Sequence, residues 1–313
     1  MRPFRFLAEA VEVVEGRRLA DTARRAESMG YAGLVFTDHL LDQLAPIPAM
    51  ATAAAATTRL RVGTFVLNND LRHPAVLAQD LATLDVLSGG RLDIGIGAGW
   101  NEPEYRAIGL SFESIGTRVG RLAESVAVLK GAFAGEPFTY RGQHYAIEAL
   151  DGRPVPVQRP HPPLLIGGGG RRILTLAGRE ADVIGLAPRI LPSGRSDPRS
   201  LTVEATAEKI GWVREAAGDR FESLELNAYP SVSRIIVTDH ARREAGVLAD
   251  RLRARTGVGI TVDELLDSPH VFIASIEGFV AKFRELRERL GITSFMVGGV
   301  DELAPVVERL AGS

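Results

Sequence analysis

Short apolar runs rich in β-branched and aromatic residues alternate along the chain with longer stretches whose apolar positions recur every three to four residues. The short runs predict strands at 4–8, 33–37, 60–67, 92–97, 163–167, 182–186, 224–229 and 293–297. The longer stretches predict amphipathic helices at 17–29, 48–57, 74–87, 118–131, 171–179, 201–216, 277–290 and 301–311. In the stretch 277–290, Phe279, Phe283, Leu286 and Leu290 share one face, while Glu277, Lys282, Glu285 and Glu288 occupy others. Eight strand-then-helix units predict a parallel sheet, and the order favours an α/β fold of the (β/α)8 TIM-barrel type. A doubly wound sheet is disfavoured because no Gly-x-Gly-x-x-Gly turn follows the first strand. A chain of 313 residues lies within the range of one large barrel domain, so a single domain over 1–313 is expected.

Three segments depart from the eightfold alternation. Residues 136–147 read as a hairpin, with Phe138 and Tyr140 before Arg141-Gly142-Gln143 and Tyr145 and Ile147 after it. Residues 187–200 form a long loop rich in Pro, Gly and Ser, and residues 232–273 are an insertion before the last strand-helix unit.

Composition narrows the chemistry. The chain has no cysteine, which excludes disulfides, thiolate zinc sites and cysteine nucleophiles and points to the cytoplasm. The 37 basic and 39 acidic residues nearly cancel, leaving no electrostatic case for nucleic acid. Membrane insertion is not expected, since the apolar stretches are short and Arg2, Arg5 and Glu9 interrupt the N-terminus.

In a barrel, chemistry belongs to the residues just after each strand. These positions lack the His-x-His pair and the spread of carboxylates of a barrel metallohydrolase, so no metal is expected. Asp38-His39 is the one histidine beside a carboxylate at a strand end; His39 is either a proton donor and acceptor or a histidine that holds a loop. Trp100, after Gly99, is either the wall of a ring-shaped ligand or a lid on the core. Glu102 either orients a substrate or caps the next helix. Gly167, Gly168, Gly169 and Gly170, followed by Arg171 and Arg172, form a phosphate cradle or a tight turn, with Gly298-Gly299 as a competing phosphate site. His73, before Pro74, reads as a loop-fixing group, and His144, His161, His240 and His270 as structural or exposed.

Several ordered motifs carry a family resemblance. Gly-Tyr-Ala-Gly-Leu-Val-Phe-Thr-Asp-His at 30–39, Leu-Arg-Val-Gly-Thr at 60–64, Arg-His-Pro at 72–74, Thr-Leu-Asp-Val-Leu-Ser-Gly-Gly-Arg at 83–91, Gly-Ile-Gly-Ala-Gly-Trp at 95–100 and Leu-Ile-Gly-Gly-Gly-Gly at 165–170 resemble the bacterial luciferase-like superfamily. The resemblance runs from 4 to 187 and resumes at 268–299. It implies a barrel with an insertion that binds FMN or the deazaflavin coenzyme F420. It further implies a non-prolyl cis peptide at Phe65-Val66, with Thr64, Phe65 and Val66 beside the cofactor, Ala98, Gly99 and Trp100 along its ring or ribityl chain, and Gly167 to Arg171 on its phosphate.

Within the superfamily the chain looks most like the actinobacterial F420-dependent branch. By that likeness His39 exchanges a proton with a small organic substrate while hydride moves to or from the deazaflavin, and Asp38 contacts the cofactor or fixes the histidine. Sugar-phosphate and alcohol dehydrogenases of this branch often carry a glutamate where this chain has Trp100, so Glu102 is assigned that role by position alone. The alternative is an FMN-dependent monooxygenase that needs oxygen and a separate flavin reductase. Phe65, Trp100, Phe112 and Ile190 suggest a moderately hydrophobic substrate, covered by the 187–200 loop, and the resemblance implies a homodimer.

Overall fold

The computed structural model describes residues 2–10, 12–191 and 193–313. The eight predicted runs are eight strands: β1 (Arg5–Glu9), β2 (Gly33–Phe36), β3 (Arg61–Thr64), β4 (Leu92–Gly97), β5 (Leu164–Gly168), β6 (Val183–Leu186), β7 (Glu225–Ala228) and β8 (Ile292–Met296). They pair in the order β3-β2-β1-β8-β7-β6-β5-β4, and a further pairing of β3 with β4 closes the ring. This is a (β/α)8 barrel. Every residue of β2, β6, β7 and β8 is buried; β2 and β6 therefore read as near-continuous apolar runs, whereas β7 and β8 also bury the polar Glu225, Asn227, Thr293 and Ser294.

The helices that follow the strands are α1 (Gly16–Ser28), α2 (Pro46–Ala56), α3 (Pro74–Ser88), α4 (Ile115–Phe133), α5 (Arg171–Glu180), α6 (Val203–Ala217), α7 (Ile276–Leu290) and α8 (Ala304–Leu310). Their starts are written in the sequence. Ser114, Thr202 and Ser275 accept the N3 backbone N–H of α4, α6 and α7, and Nδ1 of His73 accepts from Ala75 at the head of α3. His73 is thus the loop-fixing group its place before Pro74 suggests.

The chain divides into two compact units, Met1–Glu9 with Arg25–Gly33 and Gly167–Ser313, and Ala10–Arg24 with Leu34–Ile166. The core of the first is a group of phenylalanines: Phe283 and Phe295 have ring centroids 4.3 Å apart, with Phe6 and Phe272 packed on Phe283 at 5.6 and 5.3 Å. Its 232–273 insertion holds two helices, Ala241–Thr256 and Val262–Asp267, and a strand pair, Ile236–Val237 with Ile273–Ala274. It has a small core of its own, in which Leu248, Leu252, Leu265, Val271 and Ile273 meet Leu201. In the second unit α2, α3 and α4 bury Met50, Leu77, Leu81, Leu122, Val126 and Leu129, while β2 to β4 bury Leu34, Phe36, Val62, Ile94 and Ile96. The predicted hairpin is present there as Phe138–Arg141 with Ala146–Leu150. Its turn is fastened by the Glu124 carboxylate of α4, which accepts the N–H groups of Gln143, His144 and Tyr145 at 2.8 to 3.1 Å. Among the described residues, no helix is long and apolar enough to cross a membrane.

Candidate active site

The predicted strand 60–67 is interrupted. β3 ends at Thr64 and the chain resumes strand pairing at Leu67–Asn68. Val62 and Gly63 lie opposite Leu92 and Asp93, whereas Leu67 and Asn68 lie opposite Ile96 and Gly97, so the β3 side carries one extra residue. The bulge holds the Phe65-Val66 peptide, which is cis, as the resemblance implies. It also explains the glycines of β4. A Cβ on Gly95 would lie 2.0 Å from the Thr64 carbonyl oxygen, and one on Gly97 would lie 2.9 Å from Val66 Cγ2. The Thr64 hydroxyl is consumed inside the same wall, donating to the Gly95 carbonyl at 2.7 Å and accepting from the Gly95 N–H at 3.0 Å.

Asp38 and His39 follow β2, and the structure gives them different partners. Asp38 is buried and takes a two-pronged contact from Arg72, at 2.6 and 3.0 Å, plus the Asn68 N–H at 3.0 Å. It therefore ties the end of β2 to the segment just after the bulge. His39 Nδ1 lies 3.0 Å from both carboxylate oxygens of Glu104. The His39 side chain is 22 % exposed and that of Glu104 only 6 %, so the carboxylate is shielded while the imidazole is reachable. Trp100 meets the same imidazole edge-on, with centroids 5.5 Å apart, and remains half exposed itself.

Glu104 belongs to a short helix, Glu102–Ala107, started by Pro103. One face of that turn is spent in solvent, where Glu102 and Arg106 pair at 2.9 Å. The opposite face presents Glu104 to His39 and the Tyr105 hydroxyl to Asn68 Oδ1 and Asp70 Oδ2, each at 3.0 Å. Burial and the Asp70 carboxylate push the Tyr105 phenol up, so it stays a donor. Asp70 is in turn paired with Arg121 at 3.0 Å. Tyr105 also explains Gly99, whose φ is +72° and whose Cβ would sit 1.9 Å from the phenol oxygen. Phe112 is packed into this network, beneath the Arg118 guanidinium at 3.7 Å and against Tyr105.

Sequence reasoning points to Glu102, where the structure sets Glu104 against His39. The signal is present in the sequence: a Glu-x-x-x-Arg pair at 102 and 106 marks the solvent face of a helical turn, which turns 104 and 105 inward. Ala98 is buried behind Gly99, and Phe65 and Val66 are half-buried at the bulge.

The glycine turn belongs to the other unit. Gly168 ends β5 and Gly170 precedes α5. A Cβ on Gly168 would meet Ile173 Cγ2 at 2.3 Å, and one on Gly169 would meet the Pro188 carbonyl oxygen at 2.3 Å. Those two glycines are required by close packing. Gly170 faces open space, since a Cβ there would have nothing within 4 Å. α5 has no side-chain cap and no acid in its first turn, so no side chain of that turn satisfies its leading N–H groups. The Arg171 guanidinium is paired with Glu215 at 2.9 Å. Gly298 also lies after a strand, and a Cβ there would touch Ile235.

The same barrel is found in solved proteins. An F420-dependent tetrahydromethanopterin reductase from Methanopyrus kandleri superposes with a TM-score of 0.75 at 20 % identity, covering 98 % of this chain and 96 % of that one. A profile described as luciferase-like monooxygenase matches residues 3–257, and the chain belongs to that family. An F420-dependent glucose-6-phosphate dehydrogenase of Beutenbergia cavernae is 35 % identical over 249 residues, 74 % of this chain and 70 % of the relative. An FMNH2-dependent dimethylsulfone monooxygenase of Pseudomonas putida is 35 % identical over 128 residues, 41 % of this chain. Three of the curated relatives are matched over 35 %, 55 % and 66 % of their own lengths.

Proposed function

We propose that the chain is an oxidoreductase that uses coenzyme F420 and exchanges a hydride with a small organic substrate, His39 carrying the accompanying proton. The observation that carries this reading is the His39 Nδ1 contact with the shielded Glu104 carboxylate. A carboxylate on one ring nitrogen fixes the ring's orientation and leaves Nε2 to take or give the proton. The relatives support the cofactor: F420-dependent glucose-6-phosphate dehydrogenases are similar to this chain over most of its length.

The residues present fit such a cofactor. Gly170 is open and the first turn of α5 carries no acidic residue of its own, which suits a phosphate. Backbone N–H groups would make that contact, beside an Arg171 guanidinium that pairs with Glu215. F420 supplies hydride exchange at its deazaflavin ring when bound. Thr64, Phe65 and Val66 with Ala98 and Gly99 form its ring-side wall, Thr64 through its backbone since its hydroxyl is consumed in the barrel. Trp100 shields one edge of His39 from water, and Asp38 acts by holding the bulge through Arg72 and Asn68. Glu102 is exposed and pairs with Arg106, away from His39. The reading includes one barrel domain over 1–313, working as a cytoplasmic homodimer; a monomer by light scattering overturns the dimer.

A second reading is an FMN-dependent monooxygenase supplied by a reductase, favoured by the 128-residue likeness to the dimethylsulfone enzyme. Parallel calorimetric titrations with F420 and FMN at matched salt separate the two. Preference for F420 is expected, and preference for FMN with oxygen-dependent turnover overturns the first reading.

A further inference from the structure

Lys209, on α6, is 1 % exposed. Its ammonium donates to two backbone carbonyls, Ala187 and Ser200, each at 2.8 Å. These two residues bracket the 187–200 loop. The Arg189 N–H donates to Ser200 Oγ at 2.9 Å and the Asp197 N–H to the Arg189 carbonyl at 2.8 Å, so the loop is a closed structure whose base is pinned by one buried cation.

The pinned backbone is also the seat of the glycine turn. The Ala187 N–H donates to the Gly168 carbonyl at 3.1 Å. Gly169 lies so close to the Ala187 and Pro188 carbonyls that a Cβ would stand 2.8 and 2.3 Å from their oxygens. Lys209 therefore fixes Ala187, Ala187 fixes Gly168, and the position of Gly169 follows. A lysine taken out of water costs stability unless its protons find acceptors, and here they are used on the two chain positions that set the turn. The long flexible stem lets α6 reach both carbonyls.

We propose that Lys209 is a positioning residue for the cofactor phosphate, acting through Ala187 and Pro188 to hold Gly168–Gly170 in its binding shape. The proposal rests on the cofactor reading above, and its test separates the two. F420 dissociation constants are measured by fluorescence quenching for the wild type, Lys209→Met and Lys209→Arg, with thermal melts alongside and with trypsin cleavage after Arg189 as a readout of the loop base. Lys209→Met removes two hydrogen bonds from a charged donor, and should weaken F420 by about tenfold or more. It should also speed cleavage after Arg189, and Lys209→Arg should recover affinity. A folded Lys209→Met protein that binds F420 as the wild type does overturns the proposal, because a purely structural role lowers the melt alone. If Lys209→Met does not fold, the wild type decides: saturating F420 must slow cleavage after Arg189, and an unchanged rate overturns the proposal. A wild type that binds no F420 defeats the cofactor reading itself.

Discussion

Around His39, side chains are locked by other side chains: Glu104 on the imidazole, Arg72 on Asp38, Tyr105 on Asn68 and Asp70. At Gly168–Gly170 side chains have been removed: Gly168 packs on the Ile173 side chain, Gly169 on the Ala187 and Pro188 carbonyls, and Gly170 is open. The first arrangement suits a step in which a proton changes place, since it holds a titratable ring in one orientation. The second suits recognition of an anion, since the helix that follows begins with no acid in its first turn and no side-chain cap. Substitutions in the two regions should therefore separate turnover from cofactor affinity.

The division is most exposed at His39→Ala. On any substrate that the wild type turns over, hydride transfer should fall about 10²- to 10⁴-fold with F420 affinity kept. A loss of affinity equal to the loss of rate would make His39 a binding residue. Next in size is Gly169→Val, which drives a branched side chain into the Pro188 carbonyl. Overpacking of this kind costs about 1 to 3 kcal/mol, and here it should also abolish measurable F420 binding. Unchanged affinity in a calorimetric titration would remove the turn from the cofactor site.

Glu104→Gln probes the His39 cluster from within. It keeps the shape and removes the charge behind the imidazole, so turnover should drop by about tenfold or more with F420 affinity unmoved. Glu102→Gln, tested beside it, should change neither, because Glu102 pairs with Arg106 at the exposed surface of its helix.

A smaller effect is on stability against pH. Burial, with Arg189 adding to it, pushes Lys209 down to about 7. Above that pH the folded chain has shed a proton that the unfolded chain keeps up to the ordinary lysine range. The unfolded state then binds more protons, so Lys209 adds a rise in stability of about 1.4 kcal/mol per pH unit between roughly pH 7 and 10. Urea unfolding at pH 7 and pH 9 should therefore show the wild type gaining on Lys209→Met at the higher pH. Equal gains in both proteins would contradict the assignment.

Much of the barrel is legible in the sequence because parallel strands buried on both faces leave unmistakable apolar runs; the run at 92–97 coincides with β4, Leu92–Gly97. Strand 60–67 reads as continuous because apolar periodicity carries no sign of a bulge, and only the family motif places a break at Phe65-Val66. The Asp38-His39 pair is visible as a pair but its division of labour is not, since adjacent residues leaving a strand point apart. Glu104 is legible only through the Glu102–Arg106 spacing, because the six-residue helix 102–107 is too short to show an apolar period. Lys209 is unreadable as a clamp, because its partners are backbone carbonyls at 187 and 200, and backbone acceptors leave no mark in a sequence.

The decisive measurement is one F420 titration run on three proteins, the wild type, His39→Ala and Gly169→Val. The account predicts that the first two bind alike and the third does not bind. Loss of binding in His39→Ala to the level of Gly169→Val, or intact binding in Gly169→Val, would contradict it.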